Sequence, residues 1–244
     1  VTTALAQASG AEALLNALAS LRRDGATLRL HAVRQQWEES LNILRFDLPD
    51  PAMALMLGRW LPYQVQASRL WMRAGFYQAG GALGFRDQLQ DMLALLHTRP
   101  EAVRAHLMEC AAHQFEEGDV QHWWHPPRYG VRTRISDDKL FLPYVTALYV
   151  LISGDTSVHG EEIPYLHGDP LSEAETERLF IPEVSEVAEP LRLHCLRAID
   201  HVASGAHGLP LMGGGDWNDG MNLVGGENGE SVWLGMFLCE VLRL

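Results

Sequence analysis

The 244-residue sequence is 47% hydrophobic and 20% charged, long enough for one large domain or two small ones. Its formal charge of −12 and the lack of any Lys/Arg block argue against a nucleic-acid partner. Cys110, Cys195 and Cys239 are too scattered for a disulfide framework or a zinc cluster, and no apolar run reaches the roughly 18 residues of a membrane span.

Helical spacing is predicted over 2–23 (Leu14, Leu15, Leu18, Leu21) and 30–44 (Val33, Trp37, Leu41, Leu44). Pro49 and Pro51 break the pattern, so 1–50 reads as a helical linker. A long apolar helix follows from Ala52 to about Met72, kinked at Pro62. Residues 77–85 form a glycine loop, and helix resumes over 86–97. Pro100 and Glu101 open the next helix, which Gly118 closes. Residues 119–135 read as an aromatic, proline-rich loop. Ser136 is the expected N-cap of a helix to Gly154, with Asp137 and Asp138 in its first turn. Residues 155–186 read as an irregular acidic insertion, 189–204 as helix, and a last helix starts near Ser231. Only "TLRLHAV" (27–33) alternates like a strand. The expected class is therefore all-α. No period repeats, which favours a helical toroid with its site at the mouth over a solenoid.

Four stretches could carry chemistry. "LMGGGDWNDGMN" (211–222) places two aspartates about a Trp-Asn pair after three glycines. Glycines admit close approach of a ligand, and a carboxyl beside an indole loses hydration and favours its protonated form, as a general acid requires. A structural turn capped by Asp and Asn is the rival. A calcium loop fits poorly, because Gly220 occupies a ligand position of the EF-hand register. In "GGALGFRDQLQD" (80–91), Arg86 and Asp87 enter a helix after a glycine loop and suit sugar hydroxyls or a helix dipole equally. "DVQHWWHPP" (119–127) offers His122, Trp123, Trp124 and His125 for stacking on a carbohydrate or for plain packing, and lacks a third metal ligand at fixed spacing. "SDDKLFLP" (136–143) reads as helix capping, with Asp137 or Asp138 as a secondary candidate to orient a site residue. Serine-hydrolase, Cys–His and P-loop motifs are absent.

The blocks "FYQAGGALGFRDQLQD", "HWWHPP…GVRTRISDDKLFLP", "PLRLHCLRAID" and "HGLPLMGGGDWNDGMNLVG…GESVWLGMFL" resemble, in order, the catalytic domain of glycoside hydrolase family 94, the cellobiose and chitobiose phosphorylases. Within the family they are most similar to the phosphorylase-like domain of cyclic β-1,2-glucan synthases. The resemblance covers about 50–244. It implies a partial (α/α)6 barrel over 51–244, about half of the toroid, with the linker 1–50 before it. It also implies inverting phosphorolysis, and the reverse synthesis, of β-linked glucans. One carboxylic acid protonates the glycosidic oxygen while inorganic phosphate attacks from the opposite face. Phosphate is already an anionic nucleophile, so no second catalytic carboxyl is needed, unlike an inverting hydrolase.

By the same resemblance Asp219 is the general acid, Trp217 lines the sugar subsite and Asp87 binds sugar hydroxyls. Arg73 is the nearest match to a phosphate-binding arginine. Arg86, His122 and Trp123 join the substrate-binding candidates. No metal and no cofactor beyond the co-substrate phosphate is implied. The glycine loop lacks the arginine of cellobiose phosphorylase, which favours the β-1,2-glucan branch. Expected partners are an oligo- or polysaccharide, phosphate or glucose 1-phosphate, the remainder of a parent chain and a second copy in a homo-oligomer. No membrane contact is expected from this segment. Location is expected to be cytoplasmic, with room for an inner-membrane anchor elsewhere in the parent. Val1 in place of Met and the apolar run at Leu244 suggest a piece of a longer protein, inactive alone. The alternatives are a carbohydrate-binding or chain-length-controlling domain with little catalysis, and an inverting hydrolase.

Overall fold

The computed structural model describes residues 10–72, 80–221, 223–224 and 228–244. The chain divides into two compact units, Val1–Tyr63 and Gln64–Leu244. In the first, α1 (Ala11–Leu41) is two helical stretches joined at Gly25, whose φ of 72° and ψ of 160° interrupt the helical backbone. Asp50 then caps α2 (Pro51–Leu55) by accepting from the Ala52 amide at 2.9 Å, with Pro51 in the first turn where its missing N–H costs nothing. A π-helical segment, Met56–Trp60, leads into α3 (Leu61–Gln64), which carries Pro62. Within this unit Trp37 packs on Tyr63 at 4.7 Å, and Arg59 pairs with Glu38 at 2.7 Å.

In the second unit a π-helical segment, Val65–Met72, precedes β1 (Leu83–Gly84), α4 (Phe85–Leu93) and α5 (Pro100–Ala111). After the hairpin β2 (Gln121–His125) and β3 (Tyr129–Thr133) comes a 3₁₀ turn, Asp138–Leu140, leading into α6 (Phe141–Ser153). Then follow β4 (Glu162–His167), β5 (Glu177–Phe180), β6 (Glu183–Pro190), α7 (Leu191–Asp200) and α8 (Val232–Arg243). The main core joins α4, α5 and α6 to β2: Phe85, Leu89, Leu107, Cys110, Trp124, Leu142 and Val145 are all fully buried. Trp124 is its aromatic hub, stacked on His113 at 3.8 Å with the Phe85 ring edge-on at 6.4 Å. No disulfide joins the three cysteines; Cys110 is buried and Cys239 exposed.

The chain is mainly helical, as expected, but strands make it other than all-α. The expected loop 119–135 contains the β2–β3 hairpin, and the expected irregular insertion 155–186 contains β4, β5 and the start of β6. β1, β2, β3 and β5 form an antiparallel sheet in that order, and β4 pairs with β6. Physical reasons hide three of the strands, β2, β4 and β6, from a reading of periodicity. A register shift between Gln121 and Trp123 breaks the two-residue alternation of β2. Pro164, beside a register irregularity, interrupts the alternation of β4. β6 lies largely exposed, with little apolar face to show. Pro190 ends β6, so helix α7 starts at Leu191 rather than 189.

Gly213 and Gly154 both adopt left-handed backbone, at φ of 63° and 73°. A Cβ at Gly213 would also run into the Arg134 carbonyl oxygen, whereas nothing lies near one at Gly154. Gly154→Ala is therefore expected to cost about 1–2 kcal/mol, the steric penalty of φ alone. Gly213→Ala should cost clearly more and lower Tm by at least about 4 °C in thermal unfolding. Equal losses for the two variants would contradict this account of the glycine loop.

Candidate active site

Four pieces of the second unit converge on a cleft of about 250 Å³ lined by Ala82, Gly84, Arg86, Asp87, His122, Trp123 and Asp219. The β1–β2 register, with Gly84 opposite Trp123 and Leu83 opposite Trp124, brings the first turn of α4 beside the aromatic strand. The register shift in β2 lets the neighbours His122 and Trp123 both line the cleft, and beyond it Trp124 turns the other way into the core. A Cβ at Gly84, at the entry to α4, would push the Asp87 carboxylate out of its place at the cleft.

Arg86 sits at the centre. Its Nη2 donates to both Asp219 oxygens at 3.0 and 3.1 Å. Its Nη1 donates to both Asp137 oxygens at 3.1 Å and to the Asp216 carbonyl at 3.3 Å. Asp138 Oδ1 lies 3.8 Å from the same Nη1. Burial opposes the guanidinium charge, but the charges of Asp137 and Asp138, then the bond to Asp219, outweigh it and hold it firmly protonated.

The "SDDK" segment does not cap a helix. Ser136 Oγ donates instead to the Gly215 carbonyl at 3.0 Å, and α6 begins after Leu140 without a side-chain cap. Both following acids turn inward, with Asp137 fully buried and Asp138 nearly so. A signal for this existed. A capping box has Glu or Gln three residues after the cap, and here Lys139 occupies that position. Burial, then the neighbouring Asp138 charge, push the Asp137 carboxyl up to about 7 despite Arg86. Lys139 is buried beside them, donating to the Ser136 carbonyl at 2.8 Å. Burial pushes its ammonium down while Asp119, Asp138 and Asp137 resist.

The acid loop is tied at both ends. The Ser136 amide donates to the Gly215 carbonyl at 2.9 Å and the Gly214 amide to the Arg134 carbonyl at 2.7 Å. Asp216 organises the turn itself, accepting from the Asn218 amide at 2.9 Å and from Ser231 Oγ at 2.6 Å. Ser231 in turn caps α8 by accepting from the Leu234 amide at 2.9 Å. Asp219 then stands on a short 3₁₀ turn with its side chain 52% exposed.

Asp219, Asp87, Arg86, His122 and Trp123 thus share one cleft. Trp217, 54% exposed, is not among its lining residues. Arg73 lies outside the described residues. No cluster of three or more metal-ligating side chains occurs among the described residues, and no described helix is long and apolar enough to cross a membrane.

His122 Nδ1 lies 2.6 Å from Asp138 Oδ2. Burial disfavours its imidazolium, but the bond and charge of Asp138, helped by Asp219, outweigh burial and raise its pKa above the ordinary value. A raised folded pKa contributes stability that is complete below the unfolded histidine value and is lost as pH rises through the folded one. Asp138→Asn should therefore move the His122 imidazole titration, read by NMR, to lower pH. An unmoved titration would contradict the pairing.

Residues 36–243 match the Glycosyl hydrolase 94 superfamily, catalytic domain. The chain is 44% identical, over its full length, to the cyclic beta-(1,2)-glucan synthase NdvB of Rhizobium meliloti (strain 1021), covering 9% of that protein. It is 27% identical over 81% of its length to N,N'-diacetylchitobiose phosphorylase of Vibrio proteolyticus, covering 26% of it. Solabiose phosphorylase of Paenibacillus borealis is 30% identical over 68% of the chain, which covers 20% of that protein. With the family match spanning most of its residues, the chain belongs to the Glycosyl hydrolase 94 superfamily and carries sequence of its catalytic domain.

Proposed function

We propose that this chain supplies the proton donor and part of the sugar subsite for inverting phosphorolysis, and the reverse synthesis, of a β-1,2-linked glucan. The observation that carries the reading is the cleft joining Asp219 to Asp87, His122 and Trp123 around Arg86. A carbohydrate-active family supports the reaction class, and the 44% identity to a cyclic beta-(1,2)-glucan synthase supports the linkage.

In this mechanism Asp219 gives its proton to the glycosidic oxygen as the anomeric C–O bond breaks. A phosphate oxygen forms the new bond from the opposite face, inverting the centre. Hydrogen phosphate plus glycoside become glycosyl phosphate plus free alcohol, so the phosphate's proton restores the acid. Asp87 accepts hydroxyls of the reacting sugar. Trp217 and Trp123 offer ring faces, and His122 offers the nitrogen that does not face Asp138. Arg86 holds the carboxylate left on Asp219. Arg73 is assigned to phosphate by resemblance alone, and no cofactor other than phosphate enters.

The helices of 51–244 are assigned to part of an (α/α)6 barrel, and the remainder of a longer protein completes the toroid. The chain spans less than a third of each of these relatives, so the assay belongs to the full-length protein. With β-1,2-linked oligoglucan and phosphate it should release glucose 1-phosphate. Asp219→Asn should lower kcat by about 10²–10⁴-fold, the usual worth of general acid catalysis. Near-normal turnover in that variant would remove Asp219 from the role. Free glucose in place of the sugar phosphate would point to hydrolysis. Trp217→Ala should raise KM more than it lowers kcat, since stacking holds the substrate before and during the reaction alike. An unchanged KM would take Trp217 out of the subsite.

A further inference from the structure

A proton donor cannot work while it is held as a carboxylate. Both Asp219 oxygens accept from the Arg86 guanidinium, a partner that holds a carboxyl back from giving up a proton. The same guanidinium also serves Asp137, again through both oxygens. One positive charge is thus shared by two carboxyls in unlike surroundings. The Asp137 side chain is fully buried, while that of Asp219 is 52% exposed.

The groups facing this pair come from every element packed against it. Arg86 and Asp87 lie on α4 and His122 on β2, while Asp138 and Lys139 follow Asp137 in the 3₁₀ turn. Asp216 contributes its carbonyl to Arg86, and its carboxylate is engaged by Asn218 and Ser231. Arg86, His122 and Lys139 oppose Asp137, Asp138 and Asp219. If the two carboxyls joined by Arg86 hold one proton between them, it can sit on either without changing the total charge. Solvation decides which. Water stabilises the exposed Asp219 carboxylate, so the buried carboxyl keeps the proton. A sugar ring seated over Asp219 removes that water and reverses the preference.

We propose that Asp137 is a positioning residue with which Asp219 exchanges charge across Arg86. In the free protein the guanidinium touches both carboxyls, Asp137 carries the proton, and the Arg86 charge is balanced by Asp219. When a β-linked glucan occupies the cleft, Asp137 ionises and takes the guanidinium, and Asp219 becomes the protonated acid. No proton passes through Arg86. Asp137 releases one to solvent and Asp219 takes one up, so the net count is unchanged. This rests on the proposed function and adds how the acid is loaded only when substrate is present. The upward displacement of the Asp137 carboxyl is in keeping with its keeping a proton in the free protein.

The test is calorimetry of a β-1,2-linked glucose disaccharide binding to the full-length protein without phosphate, so that binding is seen without turnover. Repeating it in buffers of different ionisation enthalpy counts the protons exchanged. At about pH 6 the exchange is internal and net uptake should be near zero. At about pH 8 Asp137 is already ionised, and uptake should rise toward one proton. Uptake that does not vary with pH, including none at either pH, overturns the exchange while leaving the sugar site intact. No binding at all overturns the reading of the cleft and this inference with it.

Variants give a second arm. Asp137→Asn cannot take the negative charge, so kcat should fall about 10-fold or more and its alkaline limb should move down by about one pH unit, with KM little changed. Asp137→Glu should restore the limb. A lower kcat with an unmoved limb would mean that Asp137 only supports the loop, and would overturn the proposal.

Discussion

The Arg86 guanidinium is a charge placed where little water reaches it, and it stays there because two carboxyl groups and a carbonyl converge on it. Those partners come from sequence positions 51, 130 and 133 residues away. The ion contacts therefore join the start of α4, the turn before α6 and the acid loop into one object. Removing one member of a buried pair typically costs about 3–5 kcal/mol, because it strands the other charge. Asp138 extends the array to β2 through His122 and fixes which ring nitrogen is left to face the cleft.

The acid loop illustrates how glycine and hydrogen bonding divide the work. Gly213 and Gly215, both at positive φ, let the chain fold closely against the 134–136 backbone. Asp216 then locks the turn and links it through Ser231 to the first turn of α8. Of the two aspartates about Trp217, one is consumed by structure, and the other is left half exposed at the cleft. That division follows from hydrogen-bond partners rather than from residue type, since the two side chains are chemically identical.

Much of this was legible in the residues. The Gly-Phe-Arg-Asp block, the His-Trp-Trp-His block and the Asp-Trp-Asn-Asp block were singled out separately, and their side chains meet in one cleft. The helices were legible where apolar spacing coincides with a punctuating Pro or Gly, as at Pro100 and Gly154. Strands β2, β4 and β6 were not, because a register shift, an internal proline and solvent exposure respectively erase alternation. Asp137 and Asp138 were misread for a related reason. A serine followed by two acids is the usual signature of a helix start, and only tertiary contacts reveal that these acids face a buried arginine.

The central claim is that Asp219 delivers a proton to a glycosidic oxygen held in this cleft. A crystal structure of the full-length protein with a β-1,2-linked glucose disaccharide bound tests it most directly. The account places the glycosidic oxygen within about 3 Å of an Asp219 carboxyl oxygen, with the flanking sugar ring against Asp87 and Trp123. A disaccharide whose glycosidic oxygen lies beyond hydrogen-bond reach of Asp219, with another carboxyl in its place, would contradict it.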